Sequence, residues 1–390
     1  MTIQQNTDRI QTTHIGSLPR PHDLLDVMKA RYTGQPYDQK AYDSLLAKSV
    51  ADAVRRQVEC GIDIVTDGEF SKVGFFAYIR ERLEGFELRP ERKPRLFEQE
   101  VAAFPEYYAQ YFKEAMMGGA IVPIVPTVCT APVRYRGEKL LQIDIDNLKA
   151  AAKAAGVPDS RTFLPATAAS GVGINEYYKS DEEYFHALAG ELAKEYRAIV
   201  AAGFLVQVDD PFLPDIFVEP GLDDAQKRRR AEIYVEATNG ALKDIPADRV
   251  RFHTCYGINE GPRIHEAGLA EIIEYVLKIN AGSYSFEAAN PRHEHEYHLF
   301  ERVKIPDGKV LCPGVITHAS NIVEHPEYIA ERIVRFARLV GRENVVAAAD
   351  CGFSSQALYK TEVHPTVVWA KFRALRQGAD LATQQLWGRS

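Results

Sequence analysis

The chain is short of several things, and each shortage closes off a class of function. Only five of its 390 residues are cysteine, an odd, sparse set that builds no disulfide framework and fits a reducing compartment. No run of about 18 apolar residues occurs, so no transmembrane helix is expected. The opening stretch MTIQQNTDRIQTTHIG lacks the apolar core of a signal peptide, and with the cysteine usage this sets an expectation of the cytoplasm. Positive charge is in deficit. The 47 Lys and Arg against 54 Asp and Glu give a formal net charge of −7, which argues against nucleic acid or an anionic membrane as partner. There is no low-complexity tract, no exact repeat, and no Gly-x-Gly-x-x-Gly after the first β-rich run to mark a dinucleotide site.

What is present is a recurring unit: an amphipathic helix, a glycine, a short β-rich run, then a polar residue. Leu46, Val50, Val54 and Val58 share one helical face ahead of Gly61, and 62–66 reads as the strand that follows. Leu188, Leu192, Tyr196 and Ile199 form a second such stripe before Gly203 and the run 204–208. A third helix starts at Pro326, turns Ile329, Ile333, Phe336 and Val340 inward, and stops at Gly341 before 345–349. The stretch 269–278 is helical in pattern and leads through Gly282 into 284–286.

Strands alternating with helices of this size imply parallel βαβ units. Nine strand runs are expected, near 12–16, 62–67, 121–128, 162–166, 204–209, 249–255, 283–288, 309–316 and 345–350. An eight-stranded barrel needs one fewer. The Pro-rich 121–136 is assigned to an accessory hairpin, with the charged stretch 87–95 in the same excursion, around 85–137. The expected architecture is therefore an α/β fold, a single (β/α)8 TIM barrel spanning residues 1–390. An open doubly wound sheet is the alternative, and the missing Gly-rich fingerprint counts against it.

Reactive side chains fall where such a barrel puts its active site, after the strands. Glu69, Asp209, Asp210, His253, Cys255, Glu287, His318 and Cys351 come from six strand ends. His253-Thr254-Cys255 is the sharpest local element, because residues two apart on a strand face the same way. Two residues do not make a metal site, and a buried thiol beside a hydrogen-bonded imidazole fits them as well. Further ligands would come from other strands, where Glu287 and Cys351 are well placed. Cys60, Cys129 and Cys312 read as core thiols. The run His293-Glu294-His295-Glu296-Tyr297-His298 reads as a solvated loop or helix start beside the rim.

Taken in order, these segments resemble the catalytic barrel of cobalamin-independent methionine synthase and its short single-barrel relatives, epoxyalkane:coenzyme M transferase-like enzymes among them. The matching pieces are Thr13-His14-Ile15-Gly16-Ser17-Leu18-Pro19, Asp67-Gly68-Glu69-Phe70, Val208-Asp209-Asp210-Pro211, His253-Thr254-Cys255, Phe286-Glu287, Pro313-Gly314-Val315 leading to His318, and Asp350-Cys351-Gly352. The resemblance implies a zinc ion, Zn2+, on His253, Cys255, Glu287 and Cys351. It implies a homocysteine site made of Ile15, Gly16, Ser17, Glu69 and Asp209, and His318 as proton donor. The implied chemistry is alkyl transfer on a thiol held as a zinc thiolate, homocysteine to methionine in the first instance.

The chain has room for one barrel, whereas folate in the two-barrel enzyme uses parts of both. A simpler alkyl or methyl donor is therefore expected, a methylated corrinoid carrier being one candidate. The alternatives are a coenzyme M alkyltransferase or C–S lyase and, in another class, a non-catalytic barrel carrying a corrinoid, tetrapyrrole or metal. Ser17, Glu69 and Asp209 favour an amino-acid thiol. A sulfonate thiol would want cations, for which Arg20 and Arg292 are available. Partners are small molecules, and a homo-oligomer is compatible with the sequence.

Overall fold

The computed structural model of the chain describes residues 5–388 apart from 76, 93–95, 115–118, 123 and 258–259. Six parallel strands form one hydrogen-bonded sheet in sequence order: Phe163–Thr167, Leu205–Asp209, Val250–His253, Ser283–Phe286, Val310–Ile316 and Ala348–Ala349. Isolated parallel bridges complete the ring: Val65 to Thr162, Ile64 to Thr13, and Thr12 to Ala347. Eight staves thus close a TIM barrel, as the repeating unit predicts. Among the described residues no helix is long and apolar enough to cross a membrane.

The sequence patterns explain why these elements form. The helices Gln39–Glu59, Asp181–Ala201, Leu269–Lys278 and Pro326–Val340 bury their predicted stripes, except that Val58 is exposed and Val340 only partly covered. The Asp38 side chain caps the first, the Ser180 hydroxyl the second, and Pro326 opens the fourth. Gly61, Gly203 and Gly341 all sit at positive φ, where the chain leaves a helix and turns into a stave at no steric cost. The strands are buried on both faces, as barrel staves wrapped by helices must be.

The ninth predicted strand lies outside the ring, as expected. Leu83–Leu88 pairs antiparallel with Thr127–Tyr135, and Ile174–Asn175 adds a short parallel edge. Between the hairpin arms lie two helices not foreseen, Glu98–Ala103 and Pro105–Glu114. Parts of that excursion, 93–95, 115–118 and 123, are outside the described residues. A buried network ties the hairpin to the barrel. Glu195 accepts from Arg82 at 2.9 Å, Tyr135 Oη at 2.7 Å and Tyr78 Oη at 3.4 Å, and Arg82 also pairs with Asp144.

His14 props the first stave. Its Nε2 donates to Gln57 Oε1 at 2.7 Å, while Gln57 bonds both backbone groups of Thr66. Nδ1 is buried with no partner, so a second ring proton has nowhere to go. Burial pushes the imidazole from 6.5 down to about 4. The unfolded chain therefore takes up this proton first. Stability is undiminished above pH 6.5 and falls as pH drops towards 4, by about 3 kcal/mol in all. Urea unfolding at pH 7, 5.5 and 4 should show a shallower decline for His14→Gln, and equal slopes for the two proteins would refute the assignment.

Candidate functional site

The C-terminal ends of the staves bring together most of the residues singled out above. Asp209 and His253 end adjacent, register-paired strands. The ladder runs on for one more bond, Thr254 N to Ser285 O at 3.0 Å, and the Thr254 hydroxyl turns away to Asp210 O at 2.8 Å. That leaves His253 and Cys255 on the same side. Cys351 comes from across the barrel, just after Ala348–Ala349, and its Sγ lies 3.2 Å from Cys255 Sγ. One ligand atom from each of His253, Cys255 and Cys351 lies within 4.8 Å of the others, and all three residues are buried.

This trio fits a metal ion. Ligands about 2.3 Å from a tetrahedral centre stand about 3.8 Å apart, close to the spacing seen. Both ring nitrogens of His253 are buried without a hydrogen bond of normal geometry among the described residues, a costly arrangement that a metal bond would relieve. The thiols are unequal. The bond from Cys351 holds Cys255 down to about 6, with His253 adding to the effect, whereas Cys351 is pushed well up by that same bond and by burial. One sulfur is thus already thiolate-like.

Glu287, expected as the fourth ligand, is beside this group but not within it. Its carboxylate accepts from Arg263 Nη2 at 2.8 Å, from Tyr256 N at 3.1 Å and from Asn290. Burial would raise this carboxyl, but Arg263, His318 and His293 outweigh it and hold it below the ordinary range. The physical reason for the placement is Arg263. Buried and at φ 59°, it needs carboxylates, and takes Glu266 and Glu287. His318 also groups differently from the trio, within 4.8 Å of Glu287 and Asp350. Burial pushes its imidazole down to about 4 against the pull of Glu287.

The trio opens onto a cavity of about 910 Å³ whose wall also includes Ile15, Ser17, Glu69 and Asp209. Gly16 supports that wall at φ 141°, where a Cβ would stand 2.8 Å from Glu69 Oε1 and 2.7 Å from Pro165. The Ile15 carbonyl is held by the Gln207 side chain. Ser17 Oγ accepts from Ser354 N at 3.3 Å, leaving its hydroxyl proton free to donate. Burial pushes Asp209 up to about 8, with the nearby Glu69 adding to the rise. Glu69 already has a cation, Lys72 Nζ at 3.3 Å, so Asp209 is the carboxylate left unbalanced. Asp210 instead caps the following turn, accepting from Ser170 Oγ, Phe212 N and Leu213 N.

Several contributors were not assigned from sequence. Lys72 lies three residues after Glu69, and Asp350 directly precedes Cys351, so both were within reach. Arg263 sits in a loop without pattern and gave no signal. His293 is buried, stacked on Tyr256 at 4.1 Å and bonded to Glu266 and Glu296, whereas His298 in the same run is exposed. Cys60, Cys129 and Cys312 are buried free thiols, as expected.

Comparison with known proteins gives the same picture. A 2-hydroxypropyl-CoM lyase of Xanthobacter autotrophicus is 24% identical over 422 aligned residues, covering 99% of this chain and 98% of its own. A methionine synthase of Thermococcus kodakarensis is 25% identical over 349 residues, covering 88% and 86%. The solved structure of a B12-independent methionine synthase from Shewanella, in complex with selenomethionine, superposes with a TM-score of 0.71 at 19% identity, over 97% of this chain and 99% of that one. The profile of the family described as cobalamin-independent synthase, catalytic domain, matches residues 10–93 and 173–370. With more than two thirds of its residues inside that match, the chain belongs to the cobalamin-independent synthase catalytic-domain family.

Proposed function

We propose that the chain is a zinc-dependent thiol S-alkyltransferase that methylates homocysteine to methionine. One observation carries this reading. The His253, Cys255 and Cys351 trio and the carboxylates of Glu69 and Asp209 look into a single cavity, and no Lys or Arg lines it among the described residues. Zinc, which suits one imidazole and two thiolates, would lower the pKa of a substrate thiol and keep its sulfur nucleophilic at neutral pH.

The protein's own groups do the rest. Asp209, with Glu69 behind it, takes the α-ammonium group, and an arriving cation relieves the cost of holding that carboxylate in a buried place. Ser17 and the backbone of Ile15 and Gly16 orient the amino-acid end. Glu287 is the exchangeable ligand. Its carboxylate, held beside the trio by Arg263, Tyr256 N and Asn290, would be the group that a bound metal could gain or give up as a thiol leaves or arrives. His318, next to Glu287, would serve as proton donor to a leaving group that needs one only where the pull of Glu287 overcomes the burial that holds its imidazole down.

The lyase relative favours a second reading, a coenzyme M alkyltransferase or C–S lyase. A sulfonate would need a cation at the wall. The Arg20 guanidinium is spent on the backbone carbonyls of Glu69, Lys72 and Ser354, and Arg292 is exposed and outside the cavity lining. X-ray absorption of the zinc-loaded protein with a panel of thiols decides between the two. Homocysteine is expected to add a sulfur to the zinc shell. A sulfur added by coenzyme M alone would transfer the assignment to the second reading, and none from either thiol would end both. Asp209→Asn should raise half-saturation by homocysteine about 10- to 100-fold, the worth of a charged hydrogen bond. An unchanged value would remove Asp209 from the substrate site.

A further inference from the structure

A second cleft, of about 990 Å³, adjoins the thiol cavity and shares Phe97, Asp215 and Tyr256 with it. Its wall is strongly acidic: Glu98, Glu100, Asp215, Glu219 and Glu266 line it, with no Lys or Arg among the described lining residues. Two of these acids are matched from outside the wall. Glu219 pairs with Arg230 at 2.6 Å, and Glu266 with Arg263 and His293 at 2.7 and 3.0 Å. Glu100 and Asp215 are in no ion pair among the described residues. Glu100 is only 4% exposed, and while its Oε1 accepts from His265 N at 2.6 Å, its Oε2 is buried with no partner among the described residues. Buried carboxylate oxygens without partners are costly and point to a ligand that meets them. Two of the three residues that line both cavities, Phe97 and Tyr256, are aromatic. Phe97 is held at φ 52°, in the left-handed region, a conformation that costs a non-glycine residue about 1 kcal/mol or more. Its ring tip comes near Gly257, next to Tyr256. Tyr256 has one face covered by His293, which leaves its other face and Phe97, with the unmet buried oxygen of Glu100 and the exposed carboxylate of Asp215. Aromatic surface beside such carboxylates is the chemistry that recognises organic cations.

We propose that this cleft holds the alkyl donor and that the donor is a small onium cation carrying a transferable methyl group, a sulfonium or a quaternary ammonium. The proposal rests on the thiol-transfer reading above. A donor seated against Phe97 and Tyr256 would stand where the two spaces meet, with its methyl group turned to the thiol cavity. The thiolate lone pair forms the new S–CH3 bond as the bond from methyl to the onium centre breaks, and that bonding pair stays with the leaving atom. A neutral thioether or tertiary amine departs, so the step needs no proton, oxidant or reductant. The same wall repels a polyanionic donor.

The test uses the zinc-loaded full chain with trimethylsulfonium and tetramethylammonium ions as probes, and binding is read by calorimetry without any thiol. Saturable binding of both is expected, weakened at least about 10-fold in Glu100→Gln and in Asp215→Asn, as loss of a charged contact requires. Circular dichroism and zinc content, unchanged in both variants, would show that the fold persists. With thiol added, methyl transfer from one probe assigns its class of leaving group. Absence of binding, binding indifferent to both variants, or transfer from neither probe to a thiol shown to be on the metal overturns the proposal and leaves the thiol assignment standing. If no thiol reaches the metal, that assignment fails on its own terms, and the calorimetry still judges this cleft.

Discussion

Replacing Cys351 with alanine is expected to cut turnover at least about 10³-fold, a loss of about 4 kcal/mol of transition-state stabilisation, and to strip the metal. The trio has no redundancy. With Cys351 gone, His253 and Cys255 remain on one stave, and two ligands do not hold zinc against competing chelators. Glu287 is tied to Arg263, a buried cation that would otherwise have only Glu266, so an exchangeable carboxylate there does not replace the second thiolate. Cys255→Ala should act in the same way. Metal analysis after dialysis, combined with turnover, checks both, and Cys60→Ala, whose sulfur lies against Trp369 O far along the chain, should keep its metal. Retained stoichiometric zinc and activity in Cys351→Ala would disprove the centre. The pairing of metal loss with activity loss also separates an enzyme from a non-catalytic metal-carrying barrel, in which Asp209 variants would change nothing measurable.

The second large effect concerns stability. Glu195→Ala should cost about 3–5 kcal/mol, because it leaves part of a buried ion pair uncompensated. Arg82, 4% exposed, would keep only Asp144, and the hydroxyls of Tyr78 and Tyr135 would lose their acceptor. Tyr78 Oη also receives Thr167 N at 3.0 Å, at the end of a central stave, so the damage reaches the ring. Urea unfolding monitored by circular dichroism measures the loss. Glu195→Gln, which can still accept from both tyrosines, should lose less, and equal losses in the two variants would show that the lost charge alone, and not the hydrogen bonds, carries the effect.

The barrel was legible in the sequence because its signal is repeated. Each stave is announced by a helix stripe and a glycine, and the structure follows that rhythm at Gly61, Gly203 and Gly341. The grouping of His253, Cys255 and Cys351, which could hold a metal ion, was legible through local spacing at the first two and through family likeness at the third. What stayed hidden depends on pairings between distant residues. The set of carboxylate partners at Glu287 is decided by Arg263, whose left-handed backbone has no marker in composition or period. The helices Glu98–Ala103 and Pro105–Glu114 were missed because they sit in an excursion read only as charged and Pro-rich, and the first of them carries part of the wall of the second cleft. His293 misled because one side of a polar run is buried by Tyr256, which no local pattern records.

The ring is not uniformly joined. His253 and Asp209 sit on continuous ladders, whereas the first two staves are stitched in by single bridges at Thr12, Thr13, Ile64 and Val65. The loop Ile15-Gly16-Ser17 and Glu69 hang from those lightly sewn staves. On the proposed reading, Ser17 and Glu69 would rest on a more compliant part of the ring than Asp209 and His253, so one side of the cavity could adjust to a ligand while the side carrying His253 stays fixed.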